Sequence, residues 1–399
     1  MSQSNTTIQY DFATTVAPSL TVSFHGLVHK LRGEGKKIFD LTVGEAKVPT
    51  PPQILEHVQK TLEVEPTYYP PAPGLHALRD KAAQWMNETY GSTYNAAQTL
   101  VTGGGKYGLH MLMQSFLRPG DEAIVLAPYW VSYPALTRLF GAEPVFVEGK
   151  YENQFRVQPE ELKAAITSKT RLLILNNAAN PTGALYSKEA LQALLQLAKD
   201  HDLMVISDEV YSELIYDGEF VSCAAFEAFS DRVFIVQSCS KNFAMTGWRI
   251  GFVFGHQEVI QQLIRLQGQG ITSASVVGQW AALAAFEHAK SISHEIRTTM
   301  KQRRDTFIRT FQELFGVALP VPASALYTFL PMTAFGFTEE EARDSMTLCK
   351  DILQYAHVAM VPGEGFGVAG YARCSFSGQE ADLIEGLKRV KEYVQARSN

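Results

Sequence analysis

Between residues 100 and 255 the chain alternates short aliphatic or β-branched runs with stretches of helical character, and this alternation restricts the fold more than any other feature. Strand candidates lie at 100–102, 123–126, 171–175, 203–206 and 233–236. Between them come a helical stretch at 109–116 and another in which Ser187 can cap a helix whose Leu191, Leu194 and Leu195 share one face. Strands that alternate with helices build βαβ units, so the expectation is an α/β fold with a mostly parallel sheet covered on both faces. The flanks differ. Helices with charged faces at 296–315 and 381–394 enclose sparser strands near 326–330 and 372–376. We therefore expect a large domain over 51–295 and a smaller α+β domain formed by both chain ends, 1–50 and 296–399.

Composition removes several classes of function. The balance of 35 basic against 41 acidic residues, a net charge of −6, argues against a nucleic-acid partner but leaves room for a local basic pocket. Apolar residues at 46% supply enough side chains for a large core. Cys223, Cys239, Cys349 and Cys374 show no CxxC pairing and no metal-ligand spacing, so no metal and a reducing cytoplasm are expected. The start MSQSNTTIQYDF lacks a basic start and an apolar core, and reads as neither a secretory nor a transit signal. No apolar run approaches the ~20 residues of a membrane span, so no membrane partner is expected.

Gly103, Gly105 and Gly108 satisfy G-x-G-x-x-G between a short strand and a helix. A dinucleotide site also wants an acidic residue ending the next strand, and that strand ends in Ala127-Pro128-Tyr129-Trp130. A Walker loop fails as well, because Tyr107 follows Lys106. What remains is a helix N-terminus whose backbone amides suit a small anion.

Ligands of open α/β sheets bind beyond the carboxyl ends of the strands. The five strand ends deliver Gly104-Gly105-Lys106, then Trp130, then the run 176–183 with Asn180, then Asp208 and Tyr211, then Ser238, Ser240 and Lys241. Only seven residues separate Lys241 from Arg249, too few for a crossover helix, so the next strand should return antiparallel and bring Arg249 to the same rim. A lysine can form a Schiff base with an aldehyde. Two serines, an arginine and a helix N-terminus make a phosphate site. A carboxylate opposite an aromatic plate can hold a protonated pyridine nitrogen. This inventory fits pyridoxal phosphate.

The run Ser238-Cys239-Ser240-Lys241 followed by Gly247-Trp248-Arg249-Ile250-Gly251 resembles the lysine motif of fold-type I pyridoxal-phosphate enzymes, the class I/II aminotransferases. Asn180-Pro181-Thr182-Gly183 and Asp208-Glu209-Val210-Tyr211 are further matches in order. The runs 244–249 and 127–133 are similar to the bacterial Iβ branch of aspartate aminotransferases. The resemblance spans nearly the whole chain and implies a seven-stranded, mostly parallel sheet. It implies that Lys241 holds the cofactor and shuttles a proton, Asp208 pairs with the pyridine nitrogen, and Tyr211 and Asn180 bond the phenolic oxygen. Trp130 stacks on the ring, while Gly104, Gly105, Lys106, Ser238, Ser240 and Arg249 form the phosphate cup. Tyr69 is implied to reach the phosphate of a second subunit, hence a homodimer with composite sites. Arg373 and the backbone of Gly44 are implied to take the substrate α-carboxylate. One departure is the loop 176–179, Asn-Asn-Ala-Ala, where the family often ends in Pro-Asn.

The implied reaction passes an amino group from an L-amino acid to a 2-oxo acid by a ping-pong cycle, with aspartate and 2-oxoglutarate favoured by branch. The segment 266–273 carries no arginine to read a second carboxylate, and Arg265 before it reads as a helix-surface residue. Ser19 and Thr21 resemble the branch's lid, and Lys106 and His25 are other donors, whereas Phe24 nearby suits an aromatic or apolar substrate. Aromatic or alanine-type transfer, and a same-fold C–S lyase, stay open. A DNA-binding sensor needs an additional N-terminal domain, for which fewer than 45 residues precede Gly44.

Overall fold

The computed structural model describes residues 20–397, apart from the side chains of Thr21 and His25. Among the described residues the strands are β1 Phe39–Asp40, β2 Thr99–Thr102, β3 Glu122–Ala127, β4 Glu143–Glu148, β5 Thr170–Asn176, β6 Met204–Asp208, β7 Val233–Ser238, β8 Gly251–Phe254, β9 Tyr327–Pro331, β10 Val358–Ala359, β11 Val361–Pro362 and β12 Tyr371–Ser375. The main sheet has seven strands in the order β2-β8-β7-β6-β5-β3-β4. Strands β7, β6, β5, β3 and β4 run parallel. As expected from the short connection, β8 is antiparallel to both neighbours, with Gly251 opposite Ser238 and Thr102. Arg249 therefore enters at the carboxyl rim.

Alternate residues of each central strand go to opposite faces, as the pleat requires. Leu173 and Leu175 of β5, with Val233 and Ile235 of β7, join one hydrophobic cluster. Leu172, Ile174, Phe234 and Val236 join another on the other face. Covering both faces makes these strands read as continuous apolar runs. Strand β4 was not expected. It is an edge strand with exposed Glu143, Glu148 and Phe146; its apolar run is only Val145-Phe146-Val147, and Pro144 before it removes a donor and weakens the strand signal.

Helix ends follow local chemistry. Ser187 Oγ accepts the amide of Ala190 at 3.2 Å and starts the helix Lys188–Asp200, whose Leu191, Leu194 and Leu195 are buried. A separate cluster is built from both flanks: Phe24, Val28 and Leu31 of the helix Leu20–Gly33 share it with Phe307, Phe311 and Leu387. The 27-residue helix Ala289–Phe315 serves two cores, giving Ile292, Ile296 and Met300 to the sheet and Phe307 and Phe311 to the flank cluster. Among the described residues, no helix is long and apolar enough to cross a membrane.

Candidate active site

A cleft of about 760 Å³ opens at the carboxyl rim of the main sheet, lined by Lys241, Asp208, Tyr211, Arg249, Asn180 and Arg373 among others. Residues from four strand ends and from β12 thus meet in one place. After β2 the chain turns through Gly104, at φ +98°, into the helix Gly105–Phe116. A Cβ at Gly104 would lie 2.5 Å from Arg249 Nη2. Only glycine lets that guanidinium pack across the helix N-terminus, where free amides and positive charge coincide.

Asp208 ends β6 and is buried. Its Oδ2 accepts the Tyr133 hydroxyl at 2.7 Å, while Oδ1 is buried with no hydrogen-bond partner. Burial pushes this carboxyl up to about 6, against the pull of the Tyr133 hydroxyl, the nearby Val210 amide and the Lys241 charge. A buried acceptor left free is costly unless a ligand donor completes it.

Lys241 sits in the short helix Cys239–Asn242 that follows β7, whose first amides are organised by Ser238 Oγ accepting from Ser240 N at 3.1 Å. Its Nζ donates to the carbonyl of Gly44. Burial pushes the ammonium down to about 8; the charges of Arg373 and Arg249 act the same way, while Glu45 and Asp208 oppose them. A cation this easily deprotonated gives up a nucleophilic amine near neutral pH.

Arg373, on β12, is buried. Nη2 donates to Thr42 O at 2.8 Å and Nη1 to Asn180 Oδ1 at 3.2 Å, whereas Nε has no partner. The guanidinium lies 4.2 Å from the Tyr327 ring centroid and 5.0 Å from that of Phe366. Tyr327 Oη in turn pairs with Tyr211 Oη at 2.9 Å. A Cβ on Gly44 would come within 2.7 Å of that same Tyr327 hydroxyl. The loop with the unusual Asn-Asn-Ala-Ala run is held by its asparagines. Asn176 Oδ1 accepts Asn180 N at 2.8 Å, and Asn177 bridges Val221 O (2.9 Å) and Tyr186 N (3.1 Å).

Lys106 stands at the rim with Nζ 4.8 Å from the Trp130 ring centroid. Partial burial and the charge of Arg249 lower its pKa. Tyr69 is expected at a second subunit's phosphate rather than in its own chain's cleft. It lies on the surface, 88% exposed, and the side chain of Thr21 falls outside the described part, as do Ser19 and the His25 side chain. The sequence reading missed Tyr133 and Tyr327 as site residues. Tyr133 lies three residues after Trp130 in a run already singled out; Tyr327 carries no local signal.

These groups fit pyridoxal phosphate. The free Oδ1 of Asp208 is the acceptor that a protonated pyridine nitrogen requires, and the Gly104–Arg249 approach leaves an anion cup with no room for a side chain. Comparisons agree with the geometry. The family model "Aminotransferase class I and II" matches residues 36–390. The aspartate/prephenate aminotransferase of Thermus thermophilus is 36% identical over 93% of this chain and 95% of its own. The aspartate aminotransferase of Bacillus subtilis is 32% identical over 96% and 98%. A solved structure of aspartate aminotransferase from Thermus thermophilus with maleate superposes with a TM-score of 0.91 at 35% identity, covering 96% of this chain and 99% of that one. With a family match running from Lys36 to Val390 and a cleft built for its cofactor, the chain belongs to the class I and II aminotransferases and is a pyridoxal-phosphate-dependent enzyme.

Proposed function

We propose that this aminotransferase takes aspartate as amino donor and 2-oxoglutarate as acceptor. The observation that carries the reading is a pair of cations placed to meet a substrate: buried Arg373, with a free Nε, and the side chain of Lys106 at the rim over Trp130; Arg32 and Lys47 line the same cleft, Arg32 paired with Asp40. A dicarboxylate needs two such partners, and a monocarboxylic or aromatic donor needs one. The Bacillus and Thermus relatives carry aspartate in their names, and the Thermus structure was solved with maleate, a dicarboxylate.

When bound, pyridoxal phosphate supplies an aldehyde for the amino group and a ring that accepts the electron pair freed at Cα. The roles assigned to the residues follow from their placement. Arg373 grips the α-carboxylate in a fork, pre-oriented by Thr42, Asn180 and the Tyr327 ring. Lys241, its pKa lowered to about 8, moves the proton at the substrate Cα. Asp208 accepts the ring N–H through Oδ1, and Tyr211 and Asn180 bond the phenolic oxygen. Gly104, Gly105, the Lys106 amide, Ser238, Ser240 and Arg249 would hold the phosphate, Trp130 would stack on the ring, and Gly44 closes the carboxylate site. Lys106 reads the distal carboxylate.

A homodimer completes this reading. Leu55, Leu62, Val64, Tyr68 and Tyr69 are large apolar side chains exposed within residues 55–69 that a second subunit would cover, placing Tyr69 in its site. The cleft then lies between a large domain, 51–295, and a small one from 1–50 and 296–399, a division supported by the separate flank cluster. Cytoplasmic residence is supported by four free, buried cysteines.

The test is a donor panel with 2-oxoglutarate on the full-length enzyme, following glutamate formed. Aspartate turnover exceeding that of aromatic and alanine donors supports the reading; the reverse order refutes it. Prephenate, named for the Thermus relative, belongs among the acceptors.

A further inference from the structure

We propose that Tyr133 is a positioning residue: its hydroxyl anchors Asp208 through Oδ2, leaves Oδ1 as the one free acceptor for the cofactor's ring nitrogen, and keeps that carboxylate ionised.

The carboxylate has two oxygens and a buried setting in which each must be satisfied. A phenol brings a single proton, so it can serve one oxygen and must leave the other open. At 2.7 Å the contact is a short, charge-assisted hydrogen bond between two buried groups. Tyr133 is itself fixed. Its amide donates to Trp130 O at 3.0 Å, its carbonyl accepts Thr137 Oγ1 at 2.9 Å, and its ring stands edge-on to Trp130, 5.5 Å away at 79°. The side chain that holds Asp208 is thereby locked to the aromatic plate proposed to cover the ring. Other titratable groups facing Asp208 are Lys241 from the end of β7 and, from its own segment, Glu209 and Tyr211. Of these groups only Tyr133 donates a hydrogen bond to a carboxylate oxygen of Asp208.

The chemical consequence concerns where a proton resides. Bonding to the charged form of a carboxylate favours that form. An anchored Asp208 competes poorly for the proton it shares with the ring nitrogen, and the nitrogen keeps it. Burial and the neighbouring carboxylate raise the phenol's own pKa far above 10, so the donor stays neutral across the working pH range. An imidazole in its place would change charge near neutrality.

The inference rests on Asp208 facing the ring nitrogen, so the experiment separates the two ideas. In the full-length, cofactor-free chain labelled with ¹³C at aspartate carboxyls, the Asp208 resonance is assigned by Asp208→Asn and titrated. Tyr133→Phe should move its midpoint up from about 6 by roughly one to two pH units, the loss expected for one hydrogen bond to a charged group. In the loaded enzyme the same variant should lower kcat about 10- to 100-fold, with KM for the donor within about two-fold. A midpoint that stays put, or a kcat within about two-fold of the parent, overturns the role of Tyr133. If Tyr133→Phe fails to fold, 3-fluorotyrosine at position 133, a stronger donor, should move the midpoint down; no movement overturns the proposal equally. The ¹⁵N resonance of labelled cofactor must respond to Asp208→Asn. If it does not, the placement of the ring is wrong whatever Tyr133 does.

Discussion

Replacing Arg373 by alanine removes a buried cation together with the planar fork that faces the cleft. In the free enzyme the guanidinium is held at Thr42 O (2.8 Å) and Asn180 Oδ1 (3.2 Å) and stacked 4.2 Å from Tyr327, so its position is settled before substrate arrives. A substrate carboxylate bound there without its partner becomes an unpaired buried charge, which costs about 3–5 kcal/mol. That corresponds to a loss of about 10²- to 10⁴-fold in kcat/KM. Arg373→Lys keeps the charge but not the fork, and should fall between the two. The assay is steady-state transfer from aspartate to 2-oxoglutarate, paired with the visible absorbance of the bound cofactor. We expect the absorbance to persist while the donor affinity collapses. Loss of the cofactor with donor affinity intact would falsify the assignment, because it would put Arg373 on the phosphate or the ring.

Three further outcomes follow from the same geometry. Uptake of pyridoxal phosphate by the cofactor-free chain should accelerate with pH through a midpoint near 8, because only the neutral Lys241 amine carries a lone pair. Arg373→Ala should raise that midpoint, since the Arg373 charge helps depress it, and Lys241→Ala should abolish both the pH-dependent phase and turnover; a pH-independent rate contradicts this. Gly104→Ala combines a φ of +98° and ψ of 160° with a Cβ 2.5 Å from Arg249 Nη2, and should weaken cofactor binding about ten-fold or more by absorbance titration, at about 1–3 kcal/mol of backbone strain plus the displaced arginine. An unchanged dissociation constant removes the phosphate from that turn. Hybrid dimers of Tyr69→Phe and Lys241→Ala subunits should recover one site of parental cofactor affinity, because the intact tyrosine comes from the other chain; no recovery places Tyr69 in its own subunit's site or in none.

The sequence by itself determined the sheet, its parallel sense, and the order in which chemistry arrives at its rim. It could do so because strands buried on both faces read as unbroken apolar runs, and because each strand end carries its functional residue within a few positions. The antiparallel return of β8 was legible from seven residues alone, too few for a crossover. Edge strand β4 was not, since its short Val145-Phe146-Val147 run lies between a proline and exposed glutamates and is half in water. Only tertiary structure decided the second layer of the site. Tyr133 reaches Asp208 across 75 positions, Tyr211 meets Tyr327 across 116, and Arg373 finds Asn180 across 193. Such pairings leave no periodicity or motif in the chain, because they are made by packing, and packing is settled only when the elements dock.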